Sequence, residues 1–448
     1  MNRRQFLEQS SLSAAALMSS SQLILPDLTE NIVVLNPRAR VPVSFIIDDS
    51  TSLVNLAYYG IPQFQETFPE NYKQDWRSLP REIPDSFVME FIEWCDGQGV
   101  KGKYSMVPFP ACTGWLHRFI PGWTQQELAD SLKLVREYVT PNWDIHPEMM
   151  SHTRVVDIKT GLPFPQSGPD YMENWEWSQE KSADELGAYI AYAHQVLKDV
   201  GLHCEGITTP GSFARRNRKN LALATLEATR DVHGTEIPHF FRDLYIDPDK
   251  SVEPELYHIS GLDTNDPRCS VHVIGCTGDW FGGWDGLTPG DVDKFITEDL
   301  SSGRMVEVID KGEPAIMVCH WPGIYYNGEK RGFHIFQEVV SRIHQKYPDQ
   351  LIWMKNSEIA RYWAAKKLSR FQVKAKKEVR IQAPFSCPDY TIQLPFRSKK
   401  LVFSHQERQI PLERIDDIQK LKAGTFYPSA KQTICCIDLP KGNSHLEG

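Results

Sequence analysis

Between residues 41 and 366, short apolar runs alternate with longer stretches of helical period, and this alternation limits the possible folds more than any other feature of the chain. The seven runs are Val43 to Ile47, Gly102 to Val107, Trp143 to Ile145, Cys204 to Thr208, Val271 to Cys276, Ala315 to Cys319 and Leu351 to Met354. Helical patterns lie between them over Ser86 to Asp96, Gln125 to Val139, Ser182 to Val200, Ala214 to Arg230, Phe333 to Lys346 and Ser357 to Lys366. Short buried strands separated by helices pair in parallel, because each helix carries the chain back to the same end of the sheet. About seven such units in about 320 residues predict an α/β fold, a distorted (β/α)7 barrel, rather than an open sheet. The loops that follow the strands are then where chemistry is expected.

From about residue 370 the pattern changes. Phe371 to Val373, Val379 to Ile381, Tyr390 to Leu394, Leu401 to Phe403 and Thr433 to Asp438 are short, alternating and separated by Pro, Ser and Lys clusters, which predicts a small all-β unit. The chain divides on this reading into residues 1–30, 38–367 and 368–448, and with no low-complexity linker the two folded parts are expected to pack directly. Residues 1–30 resemble a twin-arginine export signal: Arg3 and Arg4 precede Phe6 and Leu7, and a weakly apolar Ser- and Ala-rich stretch runs from Ser10 to Leu25. That resemblance implies a periplasmic or extracellular protein. No apolar run reaches the ~18 residues needed to span a bilayer. A net charge of -9 opposes binding to nucleic acid or anionic lipid. Nine cysteines without a C-x-x-C pair argue against a zinc ribbon and against a dense disulfide framework. Twelve Trp residues point toward sugar rings, on which indoles stack, although core packing uses Trp equally well.

The apolar runs end in titratable groups. Asp48-Asp49 follow the first, His146 the third, Asp279-Trp280 the fifth and His320-Trp321 the sixth, while Pro210-Gly211 follow the fourth. Any one of these reads as a helix cap, a solvated loop acid or a satisfied histidine. Their recurrence at the same end of successive strands is what suggests a site.

These segments resemble the polysaccharide deacetylase family, the NodB-homology domains. Ile46-Ile47-Asp48-Asp49-Ser50 is similar to the family's T-F-D-D-G, which implies Asp48 as general base and Asp49 as metal ligand. The segment from His146 to His152 resembles H-[ST]-x-x-H, with its histidines six apart rather than four, and implies both as ligands. Thr208 to Phe213 keeps the Pro of R-x-P-[FY] as Pro210 but lacks the Arg that orients the base, for which Arg215 and Arg216 are the nearby substitutes. Thr277 to Trp280 is similar to D-x-x-D-W without its first Asp, and Ile316 to His320 to the strand ending in L-x-H, whose His is the general acid. Trp353 to Ala360 is similar to the closing strand and helix. The resemblance covers roughly residues 41 to 366 and implies a carbohydrate polymer or oligosaccharide as substrate and a divalent ion as cofactor.

The chemistry of the residues agrees with that assignment. One carboxylate and two neutral imidazoles form a mixed oxygen and nitrogen site that suits Zn²⁺ and leaves positions open. Asp48 then accepts a proton from water, His320 protonates the leaving group, and Asp279 orients His320. Glu148 reads as a further ligand, as a partner behind the ligands or as a solvated loop acid. Trp280, Trp284 and Trp321 read as a sugar-stacking wall or as core packing, and Trp175 and Trp177, in the insertion from Arg154 to Gln179, as part of a lid or of a rigid surface excursion. Two other functions remain open: a glycan-binding protein that has lost catalysis, and a barrel glycosidase that uses two carboxylates and no metal. Nothing in the sequence fixes the oligomeric state.

Overall fold

The computed structural model describes residues 32–375 and 377–448, so the export-signal reading falls outside the described residues. The first strands are β1 (Val33–Val34), β2 (Val41–Asp48), β3 (Gly102–Ser105) and β4 (Trp143–His146), with a small hairpin of β5 (Val156–Asp157) and β6 (Leu162–Pro163) in the insertion. There follow β7 (Gly206–Thr208), β8 (His239–Leu244), β9 (Glu255–Ser260), β10 (Arg268–Gly275), β11 (Ala315–His320) and β12 (Leu351–Trp353). The helices are α1 (Leu56–Thr67), α2 (Asp85–Gln98), α3 (Gln125–Leu134), α4 (Ala183–Asp199), α5 (Arg218–His233), α6 (Arg304–Asp310), α7 (Trp321–Tyr325), α8 (Arg331–Lys346) and α9 (Asn356–Leu368). Thr124 and Ser182 start α3 and α4 through capping boxes with Glu127 and Glu185, which satisfy backbone N–H groups that a helix start otherwise leaves free.

The fold is mixed α/β, and the main strands between residues 41 and 353 form two sheets rather than one closed ring. One runs β11-β2-β3-β4 in parallel, with β12 added along the start of β2; the other runs β7-β8-β10-β9. Single main-chain hydrogen bonds join the two: Thr208 N–H donates to Pro147 O at 3.0 Å, and Cys276 N–H to Ile316 O at 2.8 Å. The expectation of a closed seven-stranded barrel is corrected accordingly. The run Leu351 to Met354 pairs only with Val41 to Val43 of β2, while β8, whose sequence His239-Phe240-Phe241-Arg242-Asp243-Leu244 reads as too polar for a buried strand, stands between β7 and β10.

Successive side chains of a strand point to opposite faces, and this alternation builds two different layers. Phe45 and Ile47 face a helical layer with Phe91 and Phe336, whereas Ile46 packs with Val271, Val273, Ile316 and Val318. On β3 and β4 the same inward positions carry Lys103, Ser105, Asp144 and His146, all buried. One flank of the interior is therefore apolar and the other ionisable.

After α9 the tail forms short strands in two five-stranded sheets: β13 (Arg370–Ala375), β14 (Glu378–Ala383), β21 (Gly442–Glu447), β16 (Val402–His405) and β17 (Arg408–Pro411) make one. The other combines β1 with β15 (Cys387–Leu394), β20 (Thr433–Leu439), β19 (Thr425–Pro428) and β18 (Glu413–Arg414). Ile46, Ile316 and Val318 belong to one continuous apolar cluster with Tyr362 and Trp363 of α9 and with Val379, Ile381, Tyr390 and Ile437 of the tail. Each large side chain uncovered costs about 1.5–3 kcal/mol, so baring several exceeds the roughly 5–15 kcal/mol that holds a domain folded. A chain ending at Leu368 is therefore expected to be insoluble or to lose cooperative thermal unfolding. Recovery of that truncated chain as soluble protein with a sharp calorimetric transition would overturn this reading of the shared core.

Candidate active site

The site forms where β2, β4 and β11 end. Asp48 and His320 are register partners in the parallel ladder between β2 and β11, so the ends of these two strands place them side by side. Asp48 is 5% exposed and bonded through Oδ1 to the ammonium of Lys103, which also donates to Ile47 O at 3.0 Å and Ser105 Oγ at 2.8 Å. Burial pushes the Asp48 carboxyl up to about 7, against the pull of Lys103. Immediately after it, Asp49 takes a left-handed backbone (φ 58°), and the reversal points its N–H at Glu148 Oε2, 2.8 Å away.

Asp49, Glu148 and His152 converge. His152 Nε2 lies 2.6 Å from Asp49 Oδ1 and 3.2 Å from Glu148 Oε1, and all three residues are buried. Asp49 Oδ1 nevertheless has no hydrogen-bond partner, because the ring nitrogen is close but not directed as an N–H donor would be. One donor atom from each residue lies within 4.8 Å of the others, so besides pairing with one another the three could hold a cation. Burial disfavours the charged form of Glu148, but His152, Lys103 and the Asp49 N–H outweigh it and hold its carboxyl at about 2. Burial likewise works against a charged His152, and Asp49 with Glu148 raises it well above the usual imidazole range.

The loop carrying Glu148 and His152 is strained, with positive φ at Met149 (49°) and His152 (65°), and Glu173 holds it in place. The Glu173 carboxylate accepts the N–H groups of Met150, Ser151 and His152 at 3.2, 3.1 and 2.7 Å, and the hydroxyl of Tyr189 on α4 bonds to it as well. Glu173→Gln replaces an acceptor oxygen by an NH₂ that faces these donors. Partners behind metal ligands typically contribute 10- to 100-fold in affinity, so zinc binding by Glu173→Gln is expected to weaken by about that factor in a titration with a competing chelator. Unchanged affinity would remove Glu173 from the account.

His320 Nδ1 lies 3.0 Å from Asp279 Oδ2, and the same oxygen accepts the Trp284 N–H at 2.8 Å. Burial alone would lower His320, but Asp279, Asp49 and Asp48 raise it to about 10. Asp48, Asp49, Glu148, His152 and His320 open onto one cavity of about 310 Å³. Its aromatic side is built from Phe64 and Tyr72 with Trp175 and Trp284, whose rings meet edge to face at 5.4 to 5.9 Å.

Several expected residues lie elsewhere. His146 is not part of the cation cluster: as the last inward-facing residue of β4 its ring turns into the interior, 2.8 Å from His239 and 3.3 Å from Thr208 Oγ1. Glu148, four residues before His152, stands in the cluster instead. Trp321 points outward into the helical layer against Phe87 and Phe91 and is 1% exposed, so it cannot meet a substrate. Trp280 packs on Phe295 rather than on the cavity. Pro210 is buried, and its neighbours Thr209 and Gly211 line the cavity instead. Trp175 of the insertion lines it too, whereas Trp177 packs on Tyr189 and Phe213. Arg216 pairs with Glu176 at the surface, and the cation beside Asp48 is Lys103, which the sequence reading missed. A lysine two positions before Ser105 in a short buried strand, sharing its inward face, was the available signal.

No protein-family model and no curated protein matches the chain. Among solved structures it is similar to a candidate polysaccharide deacetylase from Mycobacterium smegmatis, at 13% identity and a TM-score of 0.43 over 81% of this chain and 100% of that one. It is also similar to a candidate glycoside hydrolase/deacetylase from Parabacteroides distasonis, at 11% identity and a TM-score of 0.39 over 84% of each chain. A third similarity is to 4-alpha-glucanotransferase from Thermococcus litoralis, at 12% identity and 0.36, over 71% of this chain and 40% of that one. At these scores the reading of the site rests on its own geometry. Among the described residues no helix is long and apolar enough to cross a membrane.

Proposed function

We propose that the chain is a metal-dependent hydrolase that removes acyl groups, acetyl in the simplest case, from an N- or O-acylated carbohydrate. The observation that supports this best is the convergence of Asp49, Glu148 and His152 beside Asp48 and His320 at the mouth of one cavity. Asp49, Glu148 and His152 are the residues that would hold a divalent ion, and their mixed oxygen and nitrogen donors suit zinc. Such an ion supplies Lewis acidity, lowering the pKa of water and polarising an acyl oxygen.

The chain's own groups do the rest. Lys103 holds one oxygen of Asp48 and leaves the other to accept the proton of the attacking water. Asp279 pairs with the Nδ1 side of His320 at 3.0 Å, which favours its imidazolium and leaves Nε2 to protonate the departing amine or alkoxide. Phe64, Tyr72, Trp175 and Trp284 offer apolar surface to a sugar face. On this reading residues 38–367 carry the reaction, residues 368–448 add no catalytic group, and the segment 1–30 directs export to the periplasm or beyond.

A panel of acetylated oligosaccharides and unmodified glycans tests the function, with acetate and reducing ends measured separately. Acetate release with intact glycosidic bonds is expected. New reducing ends without acetate would make the protein a glycosidase, and binding without either product would make it a lectin-like protein.

A further inference from the structure

Away from the cavity, α4, α5 and the turn before β7 bring His194, Cys204 and His233 together, one donor atom from each lying within 4.8 Å of the others. His194 is fully buried; its Nε2 lies 3.0 Å from Thr229 Oγ1, and its Nδ1 has no hydrogen-bond partner. Nε2 of His233 is also buried without a partner, while its ring bonds elsewhere to the His194 backbone. Cys204 is a free thiol at 0% exposure. Buried ring nitrogens rarely go unpaired, and two of them beside a thiol require an explanation.

We propose that His194, Cys204 and His233 form a second, structural zinc site that ties α4 to α5 and to the lead into β7. The donor set is one that tetrahedral zinc takes, and its Zn–S and Zn–N bonds bring donors to about 3.4–3.6 Å of one another, inside the 4.8 Å that bounds their separations here. His203, adjacent to Cys204 and exposed, lies outside this group but sits edge-on to His233 at 5.1 Å between ring centroids, so the fourth position falls to it after a side-chain rotation or to water. Thr229 behind His194 fixes the ring as partners of metal-bound histidines do. Burial keeps both imidazoles neutral, with His233 lowered to about 4, so their lone pairs are free at neutral pH. Burial also raises the Cys204 thiol, so metal binding must release its proton to solvent. The comparable cluster of Asp144, His146 and His239 differs, because both Asp144 oxygens already accept bonds from Ser357 at 2.6 and 2.7 Å.

Cobalt reports the site directly. The cavity ligands include no sulfur, so a thiolate-to-cobalt charge-transfer band in the near ultraviolet that depends on Cys204 marks this site and not the cavity. The full chain titrated with Co²⁺ is expected to show the band, His152→Ala to keep it and Cys204→Ser to lose it. In zinc analysis His152→Ala should retain one equivalent, and His152→Ala with Cys204→Ser none. Absence of the band from the unmodified chain overturns the proposal even if Cys204→Ser does not fold, and so does a band that survives in Cys204→Ser.

Discussion

Asp48→Asn is expected to lower turnover by about 10²- to 10⁴-fold with the metal still bound, which is the range that a positioned proton acceptor contributes. The amide has the shape of the carboxylate, and its oxygen can keep the Lys103 bond, but it cannot take a proton from water. Steady-state rates measured beside metal content check this; near wild-type turnover at full occupancy would remove Asp48 from the role of base. The pH profile carries the same information. The proposed mechanism requires Asp48 ionised and His320 protonated, so the rate should rise through the Asp48 pKa, near 7 without metal, and fall through that of His320, near 10. A cation at Asp49 favours the deprotonated form of both groups, so both limbs of the metal-loaded bell should lie below these values. Asp48→Asn should lose the acidic limb.

Glu148→Ala and His146→Ala are expected to separate cleanly. Removing Glu148 takes away a direct donor, and its effect should exceed the roughly 100-fold upper range seen for residues behind the ligands. Removing His146 should leave zinc affinity intact and act on stability instead, because it strands the buried Nε2 of His239 at a cost of about 1–3 kcal/mol. Chelator competition and thermal unfolding on the same two proteins check both halves. Loss of zinc from His146→Ala with an unchanged Tm would restore His146 as a ligand.

The contrast between these two residues also marks how far the sequence could be read. Alternation of apolar runs and helices located β2, β3, β4, β7, β10 and β11, because buried parallel strands are short and almost wholly apolar. It missed β8, where His239, Arg242 and Asp243 break the pattern although the strand is central, and the closure of the sheets depends on contacts that no local pattern encodes. Asp48 and His320 were legible as polar residues that end apolar runs, with Asp49 and Asp279 a short step beyond. His146 also ends a strand and shares the inward face of Asp48, but its ring meets His239 and Thr208 instead of the cavity, a difference set by long-range packing that no local pattern encodes. Lys103 was hidden by the opposite effect, since a buried lysine is recognisable only once the acid it pairs with is in view. Glu173 lies in an insertion whose length was visible but whose direction was not.

The central claim is that Asp49, Glu148 and His152 hold an ion on which acyl removal depends. Its most direct test is acetate release, followed by NMR, from one N-acetylated oligosaccharide by chelator-stripped protein before and after zinc is restored. The account predicts no release from the stripped protein, recovery on adding zinc, and no recovery in Glu148→Ala at the same zinc concentration. Equal release with and without metal would contradict it.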